Sequence, residues 1–155
     1  MTLRSLWHDR TGDVPTVEAI GPEVTGSWDA VIVGAGITGL TTAVLLGRTG
    51  LRVLVVDAQR IGERTTGRST AKLSLLQGTQ LTQVSRHHPG SLLRDYVAAN
   101  LEAQAWATGF CHSRGVDVQR RPAFTYATTA SGERAARAEL KHAVAAGLPA
   151  TWTDE

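Results

Sequence analysis

The sequence contains one cysteine, Cys111, which excludes an internal disulfide and any iron–sulfur or metal centre held by several cysteines of this stretch. Long apolar runs are also missing. None approaches the roughly 20 residues that span a bilayer, and the opening MTLRSLWHDRTGD lacks the apolar core of a secretion signal, so no membrane span and a cytoplasmic address are expected. Charge of one sign is not concentrated anywhere. The formal net charge is +2, lysine occurs only at Lys72 and Lys141, and the one adjacent pair of strong bases is Arg120 with Arg121. With aromatic residues at 5%, the basic stripe with interleaved rings that nucleic acid requires is not there, and no nucleic-acid partner is expected. The length of 155 residues corresponds to about one domain.

What the chain does have is the stretch Trp28 to Asp57, WDAVIVGAGITGLTTAVLLGRTGLRVLVVD. Ala30 to Val33 is a short apolar run rich in β-branched residues, read as a strand buried on both faces of a parallel sheet. Gly34, Gly36 and Gly39 follow as GxGxxG. In that pattern the first glycine permits a sharp turn, the second lets backbone approach a pyrophosphate, and the third lets the helix sit close on the sheet. Ala35, Ile37 and Thr38 complete the turn, and the free N–H groups opening the helix form an anion site. Gly39, Ala43 and Gly47 recur every four residues and predict a bare helix face against the strands, with Gly50 as the stop. Leu51 to Val56 is a second strand, ending in Asp57, eighteen residues after Gly39, where an acid accepts hydrogen bonds from an adenosine ribose. The order predicts an α/β fold built on a Rossmann-like, FAD- or NAD(P)-binding βαβ unit over residues 28–57.

Residues 1–27 hold Gly12, Pro15, Gly21, Pro22 and Gly26 without periodicity, and are read as an extended arm pinned by Trp7 and Val17, with His8 and Asp9 a solvated pair. After Asp57 comes a loop dense in hydroxyls and arginines. Thr65, Thr66, Ser69 and Thr70 offer donors to phosphate or polyol oxygens, and Thr66 or Gly67 is expected to open a helix aimed at the same pyrophosphate. Lys72 would lie in that helix's first turn, where a cation opposes the dipole and implies an anionic neighbour. Beyond it, SRHHPGS from Ser85 reads as a turn, with His87 and His88 on the surface and no metal set. Ser91 then caps a long helix to Gly115, in which Leu93, Val97 and Leu101 share a face. Val116 and Val118, then Phe124, Tyr126 and Thr128, alternate as strands; Ser131 caps a helix through Ala146 that Gly147 ends, and Ala150 to Thr153 is a last short run.

Taken with GxGxxGxxxA, formed by Gly34, Gly36, Gly39 and Ala43, the arrangement resembles the N-terminal part of FAD-dependent oxidoreductases of the D-amino-acid oxidase type, over residues 28–155. RIGERTTGRSTAKLSLLQG is similar to the GxTGxTTAKxT segment of a subgroup that often carries a C-terminal Rieske iron–sulfur domain. Arg68 and Ser69 stand here where histidine and threonine are more usual, and Asp57 where glutamate is. The resemblance implies FAD as cofactor, with Thr66, Gly67, Ser69, Thr70, Ala71 and Lys72 along its pyrophosphate and flavin side. It also implies that the long helix and the segments after it lead into a substrate domain. The chain then corresponds to the front part of an enzyme, incomplete by itself, that passes electrons from a small amine, amino acid or related C–H donor to oxygen or a carrier. No residue here is identified as its catalytic base. The alternatives are a nucleotide-binding module without turnover and an NAD-dependent dehydrogenase sharing Gly34 to Asp57.

Overall fold

A computed structural model describes residues 25–154; the expected arm, including Trp7, His8, Asp9 and Val17, falls almost entirely outside the described residues. The chain forms two compact units that divide between Lys72 and Leu73.

In the first unit, strand β1 (Ala30–Val33), helix α1 (Ile37–Arg48) and strand β2 (Val53–Val56) follow in the expected order. β1 and β2 pair in parallel, with Ala30 opposite Val53 and Val33 opposite Val56. The ladder is extended at both ends, by Asp29 N–H to the Arg52 carbonyl at 2.9 Å and Gly34 N–H to the Val56 carbonyl at 2.7 Å. The Asp29 carboxylate also accepts the Arg52 N–H at 2.7 Å, which satisfies a donor at the start of β2. α1 ends as expected: Gly50, at φ +88, donates to the Gly47 carbonyl at 3.0 Å, a left-handed position that suits glycine.

Two expectations for this unit need correction. β1 is not buried on both faces, because Val31 and Val33 are 56% and 85% exposed. With one helix and two strands, α1 covers only the face carrying Ile32. The bare stripe on α1 is real at Gly39 but not at Gly47, where an added Cβ would meet nothing within 4 Å.

The second unit is helical: α2 (Gln80–His87), α3 (Gly90–Ser113) and α4 (Ala130–Ala145). Leu81 of α2, Leu93 and Val97 of α3, Ala143 of α4 and the following Leu148 form its core, with Leu75, Val84 and Tyr96 packed around them. Leu101, expected on the same face, is 40% exposed and outside this core. Ser85 to His87 belong to α2, so the predicted turn shrinks to His88 and Pro89. Ser91 lies inside α3, which opens after Pro89 without a side-chain cap. The cap of α4 is Thr129, whose hydroxyl accepts the Gly132 N–H at 3.1 Å, rather than Ser131. Residues 116–128 and 150–153 form no strand, and Val116, Phe124 and Tyr126 are exposed; alternation predicts a strand only where a partner ladder exists to accept its N–H groups. Gly147, at φ +89, ends α4 as expected. Among the described residues no helix is long and apolar enough to cross a membrane.

One polar side chain organises this helical unit. Glu139 on α4 is 4% exposed, and its carboxylate accepts the Leu81 N–H at 2.8 Å, the Thr82 N–H at 2.8 Å and the Thr82 hydroxyl at 2.6 Å. These are the second and third residues of α2, whose own Thr79 makes no side-chain cap. An acid from another helix therefore satisfies two otherwise unpaired donors and the positive end of the α2 dipole. Glu139→Ala leaves both N–H groups buried and unmet at roughly 1–3 kcal/mol each. It is expected to destabilise this unit by roughly 2–6 kcal/mol in denaturant unfolding, with Glu139→Gln losing less; a change below about 1 kcal/mol contradicts the capping role.

Candidate functional site

The first unit brings the glycine turn and the loop after β2 together, and each glycine of the turn is required for a different reason. Gly34 sits at φ +110 with open space around it, so backbone conformation alone selects it. A Cβ at Gly39 would overlap the Gly34 carbonyl oxygen and press on Ile32, so its role is close packing of α1 on β1. Gly36 has φ −83, available to any residue, and a Cβ there would meet only the Thr66 hydroxyl oxygen at 3.4 Å, an ordinary contact. Nothing in the fold itself demands glycine at position 36. The gap it leaves lies at the opening of α1, where the N–H groups ahead of the first helical bond, Leu40 N–H to the Gly36 carbonyl at 3.0 Å, point out of the helix.

The loop from Asp57 is pinned to this turn at three points. Asp57 Oδ2 accepts the Ala35 N–H at 2.6 Å, while Oδ1 accepts the Gln59 N–H at 2.7 Å. The Gly62 N–H, from a left-handed residue at φ +68, donates to the Ala35 carbonyl at 2.9 Å. The Thr66 hydroxyl accepts the Ile37 N–H at 2.9 Å, capping α1 from 29 residues away. Ala35 is buried by this closure. The Ala35 N–H, then the Gln59 N–H, hold the Asp57 carboxyl below the usual carboxylate range, against desolvation, which raises it, and with a smaller contribution from the Arg64 charge.

Between turn and loop lies a cavity of about 230 Å³ lined by Ala35, Gly36, Asp57 and Thr66 together with Arg60, Gly62, Glu63, Arg64 and Thr65. A more open cleft of about 540 Å³ is lined by Gln59, Arg64, Thr65, Arg68 and Ser69. Of the residues singled out from sequence, Ala35, Gly36, Asp57 and Thr66 therefore share one cavity, Ile37 joins it through Thr66, and Ser69 lines the neighbouring cleft. Thr38 is exposed and its carbonyl accepts the Thr42 hydroxyl. Thr70 and Lys72 line neither space. The helix expected to open at Thr66 or Gly67 is a single 3-10 turn, Thr66–Arg68. Ser69 turns the chain to extended backbone and Ala71 adopts φ 53, so Lys72 faces no helix dipole. Arg64 was not expected here; its sequence signal is its place among the residues between the acid and Thr66.

A parallel β–α–β unit with a glycine turn at the opening of its helix and an acid at the end of its second strand is an arrangement that nucleotide-binding folds use. The chain belongs to the FAD dependent oxidoreductase family, whose sequence model matches residues 29–155, and the cofactor of that family is FAD. It is also similar to a protein of Bacillus subtilis (strain 168) described as a putative Rieske 2Fe-2S iron-sulfur protein, YhfW, with 28% identity over 138 residues. That alignment covers 89% of this chain and 26% of the relative, so the chain spans about a quarter of the relative's length. No solved structure matches it significantly. Gly36 supplies the fit to FAD: its missing Cβ leaves a cradle that the fold does not otherwise need.

The depressed Asp57 carboxyl predicts an acid limb in stability. A group whose folded pKa lies below its unfolded value of about 3.9 contributes fully above that value, and its contribution is lost as pH falls through the folded value. Thermal melts of the first unit at descending pH should show a drop that Asp57→Asn removes; parallel profiles for the two proteins contradict it.

Proposed function

We propose that this chain carries the adenosine-diphosphate side of a Rossmann-like FAD site, in an oxidoreductase acting on a small amine, amino acid or related C–H donor. The observation that carries the reading is the contrast between Gly39, which the fold needs, and Gly36, which it does not. A pyrophosphate laid across Gly36 would meet the opening N–H groups of α1 and its positive dipole end. The Ile37 N–H now held by the Thr66 hydroxyl is one such group, and a phosphate oxygen is a stronger acceptor for it than a hydroxyl. Asp57 keeps lone pairs free beyond its two backbone bonds, and a carboxylate oxygen accepts more than one donor; ribose hydroxyls are the donors we assign to it. Family resemblance further suggests Ser69, Thr70 and Lys72 for the pyrophosphate and flavin side, and an electron acceptor, oxygen or a carrier, for the whole enzyme.

FAD, when bound, supplies the acceptor for a hydride from the donor's C–H bond. The residues of this chain bind and orient it: Gly34 sets the turn, Gly36 clears the approach, Asp57 and Thr66 hold the loop against α1.

Calorimetric titration of the chain with FAD, ADP and FMN tests this. FAD and ADP are expected to bind and FMN is not, since FMN lacks the adenosine half. Gly36→Ala should melt like the wild type yet weaken ADP and FAD by about tenfold or more, corresponding to about 1.4 kcal/mol. Gly39→Ala should instead lower the melting temperature. Equal binding of FMN and FAD, or unchanged binding by Gly36→Ala, contradicts the reading, as does retention of NAD with no affinity for FAD.

A further inference from the structure

The charges around the smaller cavity do not suit a diphosphate unless one of them is answered. Asp57 lines it with a carboxylate, and a ligand bringing two further negative charges to the same place is repelled. Glu63 lines it too, and its carboxylate accepts the Arg60 backbone N–H at 3.2 Å. Of the two arginines on the wall, Arg64 is the one the structure orients. Its Nε–H donates to Gln59 Oε1 at 2.9 Å, while the Gln59 backbone N–H is fixed on Asp57 Oδ1. The guanidinium is thus linked to the acid through a single residue, and Arg64 is among the residues lining both the cavity at the glycine turn and the open cleft beside it. Bonding at Nε leaves the two terminal amino groups as a planar fork, the geometry that matches two phosphate oxygens.

We propose that Arg64, positioned by Gln59, is a binding residue for the diphosphate of an adenosine-diphosphate ligand, offsetting the negative charge that Asp57 places beside it. This rests on the nucleotide reading above and adds to it the residue that makes a doubly charged diphosphate acceptable next to an acid. The bond to Gln59 lowers the cost of binding: an arginine free in solvent loses rotamer entropy on binding, whereas one already held through Nε loses less.

The test is the affinity of the chain for ADP as a function of salt concentration. Arg64→Met is expected to weaken ADP by about ten- to a hundredfold, the range for hydrogen bonds to charged groups, and to flatten the salt dependence. Arg64→Lys should recover part of the loss by restoring charge without the fork. Gln59→Ala, which keeps the guanidinium but removes its support, should give an intermediate loss and covers the case in which Arg64→Met unfolds. Arg134→Met, on α4 of the other unit, is the charge control and should bind as the wild type. Wild-type ADP affinity in both Arg64→Met and Gln59→Ala, with Gly36→Ala impaired, overturns the role of Arg64 alone. Absence of ADP binding by the wild type, or normal binding by Gly36→Ala, overturns the nucleotide reading and this role with it.

Discussion

The Asp57 carboxylate is the interaction on which the first unit depends. It stands at the end of β2, yet its two oxygens are spent on backbone donors on either side of the cavity, the Ala35 N–H in the glycine turn and the Gln59 N–H in the following loop. An amide buried in a turn without an acceptor is costly, and Ala35 is 3% exposed. The acid therefore ties the turn between β1 and α1 to the chain after β2. Once that tie is made, the Gly62 to Ala35 bond and the Thr66 cap on Ile37 close the loop over the opening of α1. The short side chain of aspartate is suited to this, because it reaches the turn directly from the strand end.

The same physical device occurs in the helical unit. There the acid is Glu139, and the donors are the opening N–H groups of α2. In both units a carboxylate answers backbone N–H groups far from it in sequence, Ala35 for Asp57 and Leu81 and Thr82 for Glu139. The consequences differ. Glu139 is enclosed and fully used by the fold, whereas Asp57 is exposed and borders a cavity, which leaves lone pairs for a ligand.

This difference also explains what could be read from the sequence. The β1–turn–α1–β2 order, the stops at Gly50 and Gly147 and the gathering of Ala35, Gly36, Asp57 and Thr66 were legible because each rests on a local pattern: a β-branched run, a glycine at a left-handed position, a motif with fixed spacing. Strands at residues 116–128 were not formed, because alternation describes a surface and not the partner that completes it. Glu139 belongs to no motif; its one signal is an acid three residues from Ala136 and four from Ala143 on a buried face of alanines. Helix α2 is illegible for a related reason: the acceptor for its opening N–H groups comes from α4, and Thr79 at its N-cap makes no side-chain cap. The hydroxyls from Thr66 to Lys72 suggest a helix start, but hydroxyls that satisfy turns also support a 3-10 turn and an extended exit.

A diphosphate held in the gap at Gly36, framed by Asp57 and Thr66, would change the surroundings of the amides that line it. The most direct measurement is an amide chemical-shift titration of the isotopically labelled chain with ADP. The largest shifts are expected on Ala35 to Thr38, Gln59 and Thr66, with the Ile37 amide moving as its bond to the Thr66 hydroxyl is exchanged for a phosphate oxygen. Shifts confined to the residues after Leu73, or an unchanged Ile37 amide at saturating ADP, would contradict it.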